Sequence, residues 1–422
     1  MNEQLPVLKQ GHMGVDSGII SFIGTEIPAE WNDASIEVKD GSNRVYLPGL
    51  VNTHGHAAMS LLRGYSDDVS LQVWLEEKMW PIENAWGAED IKWGTLLSIM
   101  EMIRGGTTTF VDMYSFMEEV AAVVDSSGMR GCLARGVIGL CPPDIQTAKL
   151  DEATAFAKAW HGKANGRITT MMSPHAPYTC PPDYIERIVA ASKELNLPIH
   201  IHLSETAREV QGHINQYGKR PVAHLNELGV FDRPTLVAHA VHVTQEEIEL
   251  FAAKGVHVSH NPGSNLKLAS GIAPVPAMLK AGVRVSLGTD SSASNNNLDL
   301  FEEMRLAALL HKGVSGDPTA VPATAALRMG TIEGAKSIWI EDIGCLQPGM
   351  KADFIALDAN QAHFQPQSDW ISHIVYSANA NDVTDVWVDG KQLMSNRVLL
   401  TVDEERIRFE ANRLLRKFST GA

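Results

Sequence analysis

Between residues 45 and 345 one pattern returns eight times: a short run rich in β-branched residues, a polar loop carrying His, Asn, Asp or Ser, and a stretch with helical spacing. The runs are YLPGLVNTH, TTTFVDM, GCLARGV, ITTMMSPH, LPIHIHLSE, TLVAHA, VHVSHN and VRVSLGTD, ending near His56, Asp112, Arg135, His175, His202, His239, His260 and Asp290. Their mean step of roughly 33 residues suits a parallel strand with its crossover helix. Strands alternating with helices leave few arrangements open, and eight such units close a barrel. The expected fold is therefore α/β, a (β/α)8 TIM-like barrel over residues 45–344.

The flanks follow another rule. GHMGVDSGIISFIG near the start, with CLQPGMKADFIALD and DVTDVWVDGKQL after residue 345, alternate like antiparallel strands with turn signals between them. Residues 1–44 and 345–422 are expected to build a small composite β-sandwich domain. Its last segment, DEERIRFEANRLLRKF, has the spacing of an amphipathic helix starting at Asp403.

Charge and composition exclude several roles. Lys plus Arg total 35 against 50 for Asp plus Glu, a net charge of −15 that opposes binding to a phosphate backbone. No apolar run reaches the roughly 20 residues a membrane helix needs, and MNEQLPVLKQ lacks a cationic stretch before an apolar one, so a cytoplasmic protein without nucleic-acid or membrane partners is expected. Cys132, Cys141, Cys180 and Cys345 form no CxxC pair and read as inert thiols.

Chemistry gathers at the strand ends. Side chains alternate along a strand, so His54 and His56 are expected to share a face at the mouth of the barrel and to chelate one ion. His175, His202, His239 and Asp290 end four further strands, and in such a barrel positions far apart in sequence converge on one site. Of the two inward histidines in PIHIHLSE, His202 lies nearer the mouth and is the expected ligand. His200 reads as packed interior. His257 has the opposite parity to His260 and is expected to face the helical shell, while His260 either bonds in the pocket or caps its strand. His12, His161, His213, His224, His311, His363 and His373 fall on flanks, helices or loops and are given no role.

Three imidazoles and one carboxylate suit a single divalent metal, Zn²⁺ first and Fe²⁺ second, with water in the open position. That water loses a proton near neutral pH, and the Asp290 carboxylate can accept it. Alone, an Asp in GTDSS reads equally as a helix cap. Glu205, three residues beyond His202, is placed to shuttle protons in the hydrolysis of an amidine such as the C6 amine of adenine; otherwise it is a surface Glu opening the helix TAREV.

With PGLVNTHGHAAMSLLRG, SPHAPYTC, HIHLSET, VAHAV, SHNPGSNLKLASGIAPV and GTDSSASNNNLDLFEEMR assembled, the chain closely resembles the 5-methylthioadenosine/S-adenosylhomocysteine deaminases of the amidohydrolase superfamily. The resemblance implies metal ligands His54, His56, His202 and Asp290, Glu205 as proton shuttle, and His239 polarising the water or the substrate. TMMSPHAP offers no lysine where two-metal relatives bridge their ions, which favours one metal. The resemblance also places substrate contacts at Glu83, Arg135 and His175. Glu83 suits two ribose hydroxyls, and Trp74, Trp80 and Trp86 could line a thioether pocket or belong to the core. Arg135 suits the homocysteine carboxylate or a structural ion pair. A second arginine of some members is Thr147 here, which weighs towards methylthioadenosine. A purine nucleoside is thus the implied partner, in a homo-oligomer, and relatives carry a further strand before MNEQ. The competing expectations are another amino-heterocycle or chlorotriazine on the same scaffold, and a metal-binding barrel without turnover.

Overall fold

The computed structural model describes residues 6–31 and 33–419; the first five residues of the MNEQLPVLKQ stretch lie outside them. Strands β1 (His12–Asp16) and β2 (Ile19–Gly24) pair as an antiparallel hairpin, and β3 (Arg44–Pro48) and β4 (Leu50–Asn52) follow. Next come β5 (Thr107–Tyr114), β6 (Arg130–Val137), β7 (Ile168–Thr170), β8 (Ser173–Pro174), β9 (Ile199–Leu203), β10 (Thr235–His239), β11 (His257–His260) and β12 (Arg284–Leu287), with helices between them. They form two parallel sheets, ordered β4-β5-β6-β7 with β8 on β6, and β12-β11-β10-β9. All eight runs found in the sequence are strands of these sheets.

The interior is layered. Val51, Val111, Cys132, Ala134, Met171 and Leu236 make a buried apolar floor, covered by Ile338, Ile340 and Ile343. Above it the Thr53 hydroxyl meets those of Ser259 (2.8 Å) and Ser286 (2.9 Å). Polar side chains thus begin above the apolar floor, where their hydrogen bonds are met by one another rather than by water.

β13 (Phe354–Asp358), β14 (Val383–Val388), β15 (Lys391–Ser395) and β16 (Val398–Leu399) form an antiparallel sheet with β3 in the order β16-β15-β14-β13-β3. Here the sequence run YLPGLVNTH divides: its first part pairs with β13, its second with β5, and Gly49 is the joint. A Cβ on Gly49 would stand 2.1 Å from Thr108 Oγ1, so the crossing needs glycine. Beneath the joint, the buried Arg130 guanidinium grips Asp353 twice (2.9 and 3.1 Å), tying the foot of β6 to the start of β13. The C-terminal helix Glu404–Ser419 starts at Asp403, whose Oδ1 accepts the Arg406 N–H at 3.0 Å, and buries Ile407, Ala411 and Leu414. Among the described residues no helix is long and apolar enough to cross a membrane.

One parity assignment is corrected. His257 does not face the helical shell: it stands in register with Leu236 and stacks on Trp339, beside the floor of the interior. His260 turns the other way, to His311 of helix Leu300–Ser315, with Nε2 atoms 3.3 Å apart. Parity fixes relative faces only, and it does not say which of the two faces is inside.

Candidate active site

β4 ends at Asn52, so His54 and His56 lie in the loop beyond it and strand alternation does not aim them. Hydrogen bonds do. His56 Nδ1 meets the Met113 carbonyl and His202 Nδ1 meets the His175 carbonyl, both at 2.7 Å. A carbonyl only accepts, so each Nδ1 carries a proton, which directs each Nε2 into the cluster. Those two Nε2 atoms stand 3.3 Å apart. His200 Nδ1 meets the Leu236 carbonyl at 2.9 Å, so its Nε2 accepts from His54 Nδ1, also at 2.9 Å. His54 Nε2 is therefore unprotonated, and it is buried with no hydrogen-bond partner.

Asp290 Oδ1 lies 3.4 Å from both His54 Nε2 and His56 Nε2. Its Oδ2 accepts from the Ser264 (2.6 Å) and Ser294 (3.0 Å) hydroxyls. Burial holds His54 and His202 well below the usual imidazole value, so both are neutral. Lone pairs crowded at this distance, one atom orphaned, are unfavourable unless a cation sits among them. The donor set of His54, His56, His202 and Asp290 fits a divalent metal such as zinc. His239, also close to His54 and His202, is held separately: its Nδ1 is 2.8 Å from Asn265 Oδ1.

Glu205 is buried at the same exit. The helix beyond it starts at Ala207 with Thr206 as its cap, so Glu205 does not open that helix on the surface. Its Oε1 accepts from the Ser270 hydroxyl (3.2 Å) and its Oε2 is 3.8 Å from His239 Nε2. Burial raises its carboxyl above the ordinary value, with the His239 charge pulling the other way. Burial lowers His239, but Glu205, Asp290 and the Asn265 hydrogen bond outweigh it and the net movement is upward.

His175 packs at 4.7 Å against the His202 ring, takes a hydrogen bond with the Thr179 hydroxyl, and is pushed down to about 3 by burial. Glu83 accepts from the Tyr114 hydroxyl, and the Tyr114 ring lies 6.3 Å from those of both His56 and Trp86. Trp74 and Trp86 are buried in the main core, the plainer of their two readings. Arg135 is in register with Tyr114, but its Nε donates to Glu152 at 2.7 Å and no contact joins it to the histidines among the described residues. Thr147 takes a hydrogen bond from Arg187 at 2.8 Å.

Several residues went unassigned in the sequence. His200 sets the tautomer of His54, and its inward parity was the available signal. Glu209 accepts the N–H groups of Ser204 (2.8 Å) and Glu205 (2.7 Å), and burial takes its carboxyl up to about 7. Asp112 accepts the Ala57 N–H at 2.8 Å, fixing the chain after His56, and is raised by burial to about 6.

This fold and this cluster define a metal-dependent hydrolase, and residues 45–393 match the amidohydrolase family, to which the chain belongs. It is 48% identical over 412 residues, 97% of this chain and 94% of the relative, to the 5-methylthioadenosine/S-adenosylhomocysteine deaminase of Halalkalibacterium halodurans. A solved zinc-bound adenosine deaminase from Xanthomonas campestris superposes with a TM-score of 0.90 at 37% identity, covering 99% of this chain and 95% of that one. An atrazine chlorohydrolase from Arthrobacter aurescens, at 24% identity and a TM-score of 0.91 over 98% of this chain and 97% of its own, shares the fold.

Proposed function

We propose that the chain hydrolyses the C6 amine of adenine in 5-methylthioadenosine, S-adenosylhomocysteine or adenosine, releasing the inosine derivative and ammonia. The observation that carries this reading is the buried Glu205 carboxyl beside His239 and the cluster of His54, His56, His202 and Asp290. Identity of about one half to deaminases of these nucleosides over nearly the whole chain supports the substrate class.

One divalent metal per subunit is held by His54, His56, His202 and Asp290, with Zn²⁺ favoured over Fe²⁺ by the zinc in the adenosine deaminase neighbour. When bound, it supplies a water acidified towards neutral pH. The side chains do the rest. Asp290, whose Oδ2 is held by the Ser264 and Ser294 hydroxyls, would take up a proton as water is activated, and His239 would donate a hydrogen bond at the attacked carbon's side. Glu205 would protonate the ring nitrogen as the oxygen–carbon bond forms and regain a proton from the hydroxyl of the adduct. The proton taken up by Asp290 would pass to the amine as the carbon–nitrogen bond breaks, so both carboxyls end as they began and water plus nucleoside give inosine derivative plus ammonia. Glu83 takes the ribose hydroxyls, His175 contacts the purine, and Arg135 turns from Glu152 to a homocysteine carboxylate when one is present.

The scaffold reading is one closed (β/α)8 barrel over 45–344 with a terminal sandwich of 1–44 and 345–422, although β3 crosses that boundary. Closure is supported by Thr53 N–H to Leu287 O and His200 N–H to Met172 O, each 2.9 Å, across the two gaps between the parallel sheets. The test is ammonia release with its ultraviolet shift from methylthioadenosine, S-adenosylhomocysteine, adenosine, guanine and a chlorotriazine. Turnover of the thioether nucleosides is expected; turnover of guanine or the chlorotriazine alone would overturn the ribose assignment of Glu83.

A further inference from the structure

The segment from Asn261 to Gly271, between β11 and helix Val275–Lys280, sends three side chains to three different groups of the site. The Ser264 hydroxyl donates to Asp290 Oδ2 at 2.6 Å, Asn265 Oδ1 lies 2.8 Å from His239 Nδ1, and the Ser270 hydroxyl donates to Glu205 Oε1 at 3.2 Å. None of the three is more than 5% exposed. The segment is also anchored along its length. Asn261 Oδ1 accepts from Ser259 at 3.1 Å, and the Gly263 N–H donates to Glu303 at 3.0 Å. The Ser270 carbonyl accepts from His242 Nε2 at 2.7 Å, while the His242 N–H donates to the Ser204 carbonyl at 2.8 Å, one residue before Glu205. Glu205 is therefore held from both ends by one ring of contacts, through Ser270 at its carboxyl and through His242 at its backbone. Gly271, at φ +124°, ends the segment where a Cβ would stand 2.9 Å from Val241 Cγ1.

We propose that Asn261–Gly271 is a single orienting element whose Ser264, Asn265 and Ser270 are positioning residues that hold Asp290, His239 and Glu205 in mutual register. The inference rests on the deaminase reading for what those three groups do, and on geometry for what holds them. Proton transfer is steep in distance: a displacement near 1 Å costs about 10²-fold in rate. A glutamate has three rotatable bonds, and the Ser270 hydroxyl selects one arrangement of them. The acceptor Oδ1 of Asn265 keeps a proton on His239 Nδ1 and so turns Nε2 towards Glu205.

The test uses zinc-loaded full-length protein and the variants Ser264→Ala, Ser270→Ala, Ser270→Thr, Asn265→Leu, Asn265→Asp and Gly271→Ala. Bound zinc per chain, kcat and KM for methylthioadenosine, and 15N spectra of the histidine rings are measured on each. Ser270→Ala is expected to lower kcat by about 10- to 100-fold with KM and zinc nearly unchanged, and Ser270→Thr to restore it. Asn265→Leu should move one ring's nitrogen resonances and Asn265→Asp return them, while Ser264→Ala should release zinc more readily. Gly271→Ala should match Ser270→Ala, and the pair together should lose little more than either alone. Unchanged kcat in Ser270→Ala and Asn265→Leu, or losses in those two that follow zinc content and melting temperature and are not rescued by Thr or Asp, would overturn the proposal. Should wild-type protein release no ammonia, the deaminase reading fails, and the histidine spectra and zinc retention still decide the orienting role.

Discussion

His200 Nε2 stands 2.9 Å from His54 Nδ1, and because His200 Nδ1 is committed to the Leu236 carbonyl, this contact turns the bare nitrogen of His54 into the cluster. Groups that orient a metal-ligating imidazole typically govern 10–100-fold in affinity. His200→Leu should therefore weaken zinc binding by about that factor in a chelator competition. His200→Gln, which can place an amide oxygen at the same point, should stay within a few fold of wild type. Equal affinity in all three proteins would reduce His200 to packing.

Glu205→Gln keeps the shape and the Ser270 contact but cannot carry a proton. It should bind zinc and fold as the wild type does while turnover falls by roughly 10²–10⁴-fold, the range of a lost acid–base group. A near-normal rate at saturating nucleoside would remove Glu205 from the mechanism.

Much of this was legible in the sequence because strand-and-helix units repeat. Each strand announces itself by a β-branched run, and His202 and His239 fall at the ends of β9 and β10, while Asp290 lies in the loop that follows β12. His54 and His56 were found by a signal that does not hold, since their loop, not a strand, carries them. The division of YLPGLVNTH at Gly49 was invisible, because one extended run serves two sheets without a change of composition. Ser264, Asn265 and Ser270 sit in SHNPGSNLKLASG with nothing to distinguish them from ordinary loop polarity; only the folded chain brings them to Asp290, His239 and Glu205. His257 and His260 show the limit of alternation, which gives opposite faces and not which face is inside.

Asp353→Ala tests the join beneath Gly49. It would leave the buried Arg130 guanidinium with Asp389 as its remaining carboxylate, so the loss should stay below the roughly 3–5 kcal/mol of a buried pair broken outright. Urea unfolding should show a fall within that bound. Replacing both residues with apolar ones of similar size should cost far less, and a larger loss in the double variant would contradict the argument.

His257 makes stability depend on acid. Its Nδ1 meets the Ser337 carbonyl at 3.0 Å and its Nε2 accepts from Arg284 at 3.2 Å, so protonation would set two cations against each other. Burial is the main cause that brings it down to about 4, with Arg284 adding to it. The unfolded chain then binds the proton first, at about 6.5. This contribution is whole above 6.5 and is lost as pH falls towards 4, on the order of 3 kcal/mol in all. Denaturant midpoints of zinc-free protein between those limits should fall less steeply for His257→Gln than for wild type; parallel curves would refute the assignment.

The pairing of β3 with β13 also sets a timetable. Pro48 and Phe354 are partners about 300 residues apart, a stretch that takes a ribosome roughly 15–60 s to make. Throughout that interval the sheet edge built from Arg44–Pro48 has been synthesised and its partner has not. Parallel strands can assemble in order as they emerge, but the seam at Gly49 cannot form until Phe354–Asp358 arrives. Sealing the molecule there waits on a late stretch of synthesis, and a chain released before it carries an open strand edge ready to pair with another.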